Sequence, residues 1–150
     1  MERTKSSELT PVDGLAQLSF VVYGLLEGRV AEHDLSMIQA RLLGVLRDRR
    51  PTMNELAQLL SLDKSSVTGL VVRVPSQTDR RVVQVSLTDR GRSLASAVGS
   101  EFDADVTALL AHLPPSDRAV MSRLVSRLLV DHARAHGLDL FGTVEPALTQ

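Results

Sequence analysis

The sequence predicts a mainly α-helical fold with one small β-hairpin, built from a single domain of 150 residues. Three observations predict it. Hydrophobic residues make up 43% of the chain but aromatics only 3%, with no Trp, so the core is aliphatic, which favours packed helices over a sandwich. Apolar residues recur at three- and four-residue spacings through most of the chain. Only residues 72–87 break that period, where two β-branched runs flank a polar loop.

The first helix is expected over Pro11–Glu32, since Leu15, Leu18, Val22, Leu25 and Leu26 form one stripe and Pro11 suits a first turn. Ser36 is an N-cap for a second helix carrying Ile38, Leu42, Leu43 and Leu46, which Pro51 terminates. Thr52 and Glu55 make a capping box for a short helix, Met53 to Leu60, with Leu56, Leu59 and Leu60 on one face. Ser61-Leu62-Asp63 is a tight break, and Asp63 caps a second short helix, Lys64 to Leu70. Val67, Leu70 and Val71 face inward, which leaves Lys64, Ser65, Ser66 and Thr68 outward.

Val72-Arg73-Val74 and Val82 to Leu87 read as two strands around the loop Pro75–Arg81. Thr88 caps a long helix to about Leu113, Pro114-Pro115 resets the chain, and a last helix runs to about Ala135. Two short helices around a tight turn form a helix-turn-helix, and the hairpin beside them forms a wing. The expected fold is therefore a winged helix-turn-helix domain plus long N- and C-terminal helices. Those terminal helices carry more apolar surface than the small winged unit can cover. Val120, Leu124, Val125, Leu128 and Leu129 would meet the first helix of a second copy in a homodimer. The expected division is 9–35 and 100–150 for dimerisation and 36–92 for the winged unit.

Charge distribution supports a nucleic-acid partner. The segment Asp63–Arg92 holds six basic residues against three acidic, whereas the rest of the chain holds 11 against 15. A basic segment on an acidic protein is a candidate DNA face. Hydroxyls on the Lys64–Thr68 face can approach base edges or phosphates, and a wing-tip arginine can enter a minor groove.

The run Leu62-Asp63-Lys64-Ser65-Ser66-Val67-Thr68-Gly69-Leu70-Val71, then Asp79-Arg80-Arg81, then Leu87-Thr88-Asp89-Arg90-Gly91, resembles the MarR family of regulators. The resemblance covers about residues 12–136. It implies a winged-helix homodimer interlocked by its first and last helices. It also implies a repressor that leaves DNA when a small aromatic or phenolic ligand binds. By position it places Lys64, Ser65, Ser66 and Thr68 on the recognition helix. It makes Arg81 the minor-groove arginine, Asp79 the carboxylate that orients it, and Arg80 a phosphate contact. A ligand pocket is expected between the terminal helices and the winged unit. Phe20, Tyr23 and Met37 are candidates to line it, and equally candidates for the core.

The chain departs from the family at one place. Gly69-Leu70-Val71 abuts Val72-Arg73-Val74 with no turn residue between Leu70 and Val74. One reading is that about ten residues are missing near 71–72; the other is a natural deletion, which would cripple DNA binding. The first is expected here, and it requires a break at the Val71–Val72 junction.

Other functions fare worse. The absence of Cys removes disulfides, Cys-based zinc sites and thiol nucleophiles. No Ser-x-x-Lys, Gly-rich phosphate loop or His-Glu-x-x-His is present, so no enzyme is expected, and no cofactor. His132 and His136 share a helix face but lack the further ligands of a metal site. No stretch approaches the ~18 apolar residues of a membrane span, and Met1–Glu8 shows no apolar signal core, so a cytoplasmic protein is expected. The competing function is a helical dimeric interaction module that has lost DNA binding.

Overall fold

The computed structural model describes residues 9–60 and 69–136, the side chains of residues 57–60 excepted. Its order is α1 (Pro11–Glu32), α2 (Met37–Asp48), α3 (Met53–Leu60), β1 (Val71–Pro75), β2 (Val83–Leu87), α4 (Asp89–Leu110) and α5 (Pro115–Ala135).

Capping side chains set most helix starts. The Thr10 hydroxyl accepts from the Asp13 N–H at 3.2 Å ahead of α1. Ser36 and Gln39 form a reciprocal capping box on α2, which adds Gln39 to the Ser36 cap expected there. Thr52 and Glu55 do the same for α3: the Glu55 carboxylate accepts from the Thr52 N–H at 2.7 Å, which lowers its pKa. Thr88 caps α4 by accepting from the Gly91 N–H at 3.0 Å. Helix α4 ends at Leu110 rather than Leu113, in a turn closed by the Leu113 N–H on the Leu110 carbonyl.

The core lies where α2, α3, the hairpin and the start of α4 converge. Leu42, Leu43, Leu46, Leu56, Leu70, Val85, Leu87 and Ala95 are buried together. A smaller cluster of Val30, Ala40 and Val98 joins α1 to α2 and α4. Outside it, an ion pair and a further polar contact tie the end of α1 to α4. Arg29 donates to both carboxylate oxygens of Asp105 at 2.6 and 2.8 Å, and His33 lies 2.9 Å from Glu101.

The hairpin is antiparallel, with Val71 opposite Leu87 and Pro75 opposite Val83. On the outer edge of β2, Thr52 bridges to Gln84, and the Pro51 carbonyl accepts from the Val85 N–H at 2.8 Å. The α2–α3 connection is thereby stitched to the wing. Val71 and Val72 are consecutive in β1, where Val72 pairs with Ser86. The turn sought between Leu70 and Val74 lies one step earlier, at Gly69, whose φ of 81° is the left-handed conformation that glycine adopts without strain.

Helix α5 packs little against any other described element, and its apolar residues stay open. Val120, Leu124, Val125, Leu128 and Leu129 are all exposed, as are Leu15 and Val21 on α1. No described helix is long and apolar enough to cross a membrane.

Candidate nucleic-acid interface and ligand cleft

The tip of the wing is a tight turn with two arginines at its centre. The Val82 N–H donates to the Asp79 carbonyl at 2.9 Å, closing a four-residue turn whose middle positions are Arg80 and Arg81. Residues at those positions point away from the sheet. The Asp79 carboxylate accepts from the Arg81 N–H at 3.0 Å, an Asx turn nested in the first, and lies 3.8 Å from the Arg81 guanidinium. Arg81 is almost wholly exposed. Ser76 supports the loop from beneath: it is buried, its hydroxyl accepts from the Thr78 and Asp79 N–H groups at 3.3 and 3.4 Å, and its own N–H bonds the Val82 carbonyl at 2.8 Å. Ser76 therefore organises the wing, although in sequence it reads only as loop. A serine two and three residues ahead of polar positions is the turn signal that could have found it.

Lys64, Ser65, Ser66 and Thr68 lie outside the described residues. Where the chain leaves that segment, it is clasped by the start of α4. The Thr88 hydroxyl donates to the Gly69 carbonyl at 2.8 Å, and the Thr88 N–H donates to the Leu70 carbonyl at 3.0 Å. Gly91 lies against the same Leu70 carbonyl, so closely that a Cβ would overlap it. The Thr-x-x-Gly spacing therefore has a mechanical basis: Thr88 caps α4 and holds the Gly69 turn, and Gly91 leaves room for it.

A cleft of about 930 Å³ opens between α1, α2 and α4. Tyr23 and Met37, two of the three expected lining residues, border it together with Leu26, Ile38, Val98 and Phe102. Phe20 does not. It is 70% exposed and sits six residues before Leu26, about a third of a turn off that face. Phe102 escapes a sequence reading because α4's own apolar period names a face, not the helix that the face meets. Arg41, Arg47 and Arg49 also reach the cleft wall, against Asp48. Arg47 is bound to Asp48 through Nε and one terminal nitrogen, at 2.7 to 3.1 Å, which lowers the Asp48 pKa.

Among the described residues no group of three or more His, Asp or Glu side chains could hold a metal ion. His132 and His136 stack at 4.2 Å between ring centroids, with His136 Nδ1 2.9 Å from the His132 carbonyl.

This arrangement is the winged-helix fold of the MarR-type transcription regulators. The transcriptional regulator PA3341 shares it at 25% identity, over 80% of this chain and 96% of that one, with a TM-score of 0.63. NadR in complex with 4-hydroxyphenylacetate is similar at 23% identity (85% and 97% covered, TM-score 0.60). A single-residue mutant of MepR from S. aureus, bound to an oligodeoxyribonucleotide, is similar at 21% (83% and 99%, TM-score 0.51). No protein-family model matches the sequence, and no curated protein does.

Proposed function

We propose that this protein is a sequence-specific DNA-binding transcription regulator, acting as a homodimer, that leaves its operator when a small aromatic ligand fills the α1–α2–α4 cleft. The observation that carries this reading is the wing tip, where two nested turns and a buried serine hold Arg80 and Arg81 out beyond the sheet. A fixed arginine at a hairpin tip fits the minor groove beside the groove that a helix-turn-helix reads. Residues 36–92 form the DNA-binding unit, and 9–35 with 100–150 form the dimer.

MepR with its oligonucleotide and NadR with its phenolic ligand support both halves of the proposal. The cleft offers Tyr23 and Phe102 for ring stacking, Met37 as an adaptable wall and Arg41 for an acidic substituent. Its position, with one wall on α4, supports the coupling: α4 also clasps the turn that follows the recognition segment. The regulator acts as a repressor in this reading, is not an enzyme, and works in the cytoplasm, where its DNA is.

Selection of bound fragments from genomic DNA at physiological salt should enrich an inverted repeat with half-sites about one helical turn apart. On that repeat, Arg81→Ala should weaken binding roughly tenfold or more while the dimer persists, in line with ~1–3 kcal/mol for a specific contact. Unchanged affinity would remove the wing from the interface. A folded dimer that enriches nothing would favour the other reading, a helical interaction module without DNA binding, which the short span between Asp63 and Gly69 supports.

A further inference from the structure

A second cleft, of about 650 Å³, lies at the foot of the wing between the end of α2, β2 and the first turns of α4. Four arginines line it, Arg47, Arg49, Arg50 and Arg92, with the hydroxyls of Ser86 and Ser96. Asp48 is the one acidic residue in that lining, on a chain whose net charge is −1. We propose that this cleft binds a phosphate group.

The simplest alternative is that these arginines neutralise the negative end of the α2 dipole, worth about half a charge. Only Arg47 lies in the last turn of α2, and Asp48 already holds it. Arg49 is the C-cap of α2, on extended backbone, and its charge also helps to lower the Asp48 pKa, whereas Arg50 follows the helix end and is exposed. Their backbone is fixed, since Pro51 and Thr52 are stitched to β2. Arg92 is fixed too, donating from Nη1 to the Leu87 carbonyl at 2.7 Å and pairing with Asp89. Its remaining N–H groups, and those on the exposed Arg50, are open to a ligand. Arginines and serines gathered along one cleft on a rigid frame supply the kind of donors that phosphate oxygens demand.

Such a phosphate has two sources. Arg50 stands three residues before α3, the first helix of the helix-turn-helix, which in that mode of docking crosses the DNA backbone. The phosphate is then one of the duplex, and this source rests on the proposed function. The other source is a free phosphate-bearing metabolite, which does not.

The test uses the full chain, wild type and Arg50→Gln, with Arg49→Gln as a second variant and thermal unfolding as the control for folding. The DNA-free proteins are titrated with pyrophosphate by calorimetry. The salt dependence of binding to random-sequence duplex is measured in parallel. If the duplex supplies the phosphate, the slope of log K against log salt becomes shallower by about 0.9 for each phosphate the variant no longer neutralises. If a free ligand supplies it, wild type binds pyrophosphate, the variants bind it at least tenfold more weakly, and the slope holds. Should wild type bind no DNA at all, the proposed function falls and the pyrophosphate titration alone decides the cleft. Unchanged slope together with no pyrophosphate binding by wild type would overturn the proposal.

Discussion

Leucines stud both the winged core and the C-terminal helix, and the two regions treat them oppositely. Leu42 on α2 is fully buried, whereas Leu128 on α5 is 58% exposed. The core is complete within one chain: α2, α3, the hairpin and α4 close around it, and the stitched α2–α3 connection seals its edge. Helix α5 has the same kind of side chain and no described element of its own chain to bury it. One region is finished by folding, and the other is left for association. Exposed apolar residues scattered singly would teach nothing, but a whole helix of them marks an interface.

The comparison can be broken first at the core. Leu42→Ala should cost about 2–5 kcal/mol of unfolding free energy, measured by urea titration, because a fully buried leucine leaves a cavity that its neighbours only partly refill. A loss under about 1 kcal/mol would mean that the core is not closed in the way described. On the other side of the contrast, Leu128→Glu should leave the secondary structure near wild type. It should raise the dimer dissociation constant at least tenfold in sedimentation, about 1.4 kcal/mol. A variant that stays dimeric would place the interface elsewhere.

Thr88→Ala sharpens the boundary between the regions. It removes a helix cap and a bond to the Gly69 carbonyl together, so a loss of about 1–2 kcal/mol is expected in the same urea titration. Thr88→Ser keeps both bonds and should restore most of it. If alanine and serine behave alike, the clasp contributes nothing.

The smallest effect belongs to the ion pair that ties α1 to α4. Arg29 beside Asp105 holds that carboxyl below its usual range. Its contribution is therefore present above about pH 4, where an unfolded Asp is ionised, and is lost as pH falls through the lower folded value. Asp105→Asn should remove that part of the acid dependence and leave the slope near neutral pH unchanged. Identical acid profiles for the two proteins would show that the pair is screened out.

The sequence is most readable where a signal is local. The Thr52–Glu55 box, the Ser36 and Thr88 caps and Pro11 mark helix starts, because caps act within three residues of themselves. The wing is readable for the same reason, although the Asp79 carboxylate, expected to orient the Arg81 side chain, hydrogen-bonds the Arg81 backbone N–H and lies 3.8 Å from the guanidinium. Contacts between distant segments are not readable. Nothing near Gly91 says that Leu70 will lie against it, and nothing on α4 says that Phe102 will line a cleft with Tyr23. Gly69 stands in plain view, but a glycine behind a helix signals a cap as readily as a turn. Only its left-handed backbone shows that the hairpin has the turn it needs. The basic cleft is half visible. Arg47, Arg49 and Arg50 are adjacent in sequence, but Arg92 joins them only through the packing of α4 on β2.

Tyr23 on the cleft wall is the only tyrosine in the chain, and there is no tryptophan. The molecule therefore carries a built-in lamp at one address and darkness everywhere else. Its ultraviolet emission reports on the surroundings of a single ring, so an aromatic compound entering the cleft can be followed by quenching in unlabelled protein, one candidate after another, before any target gene is known.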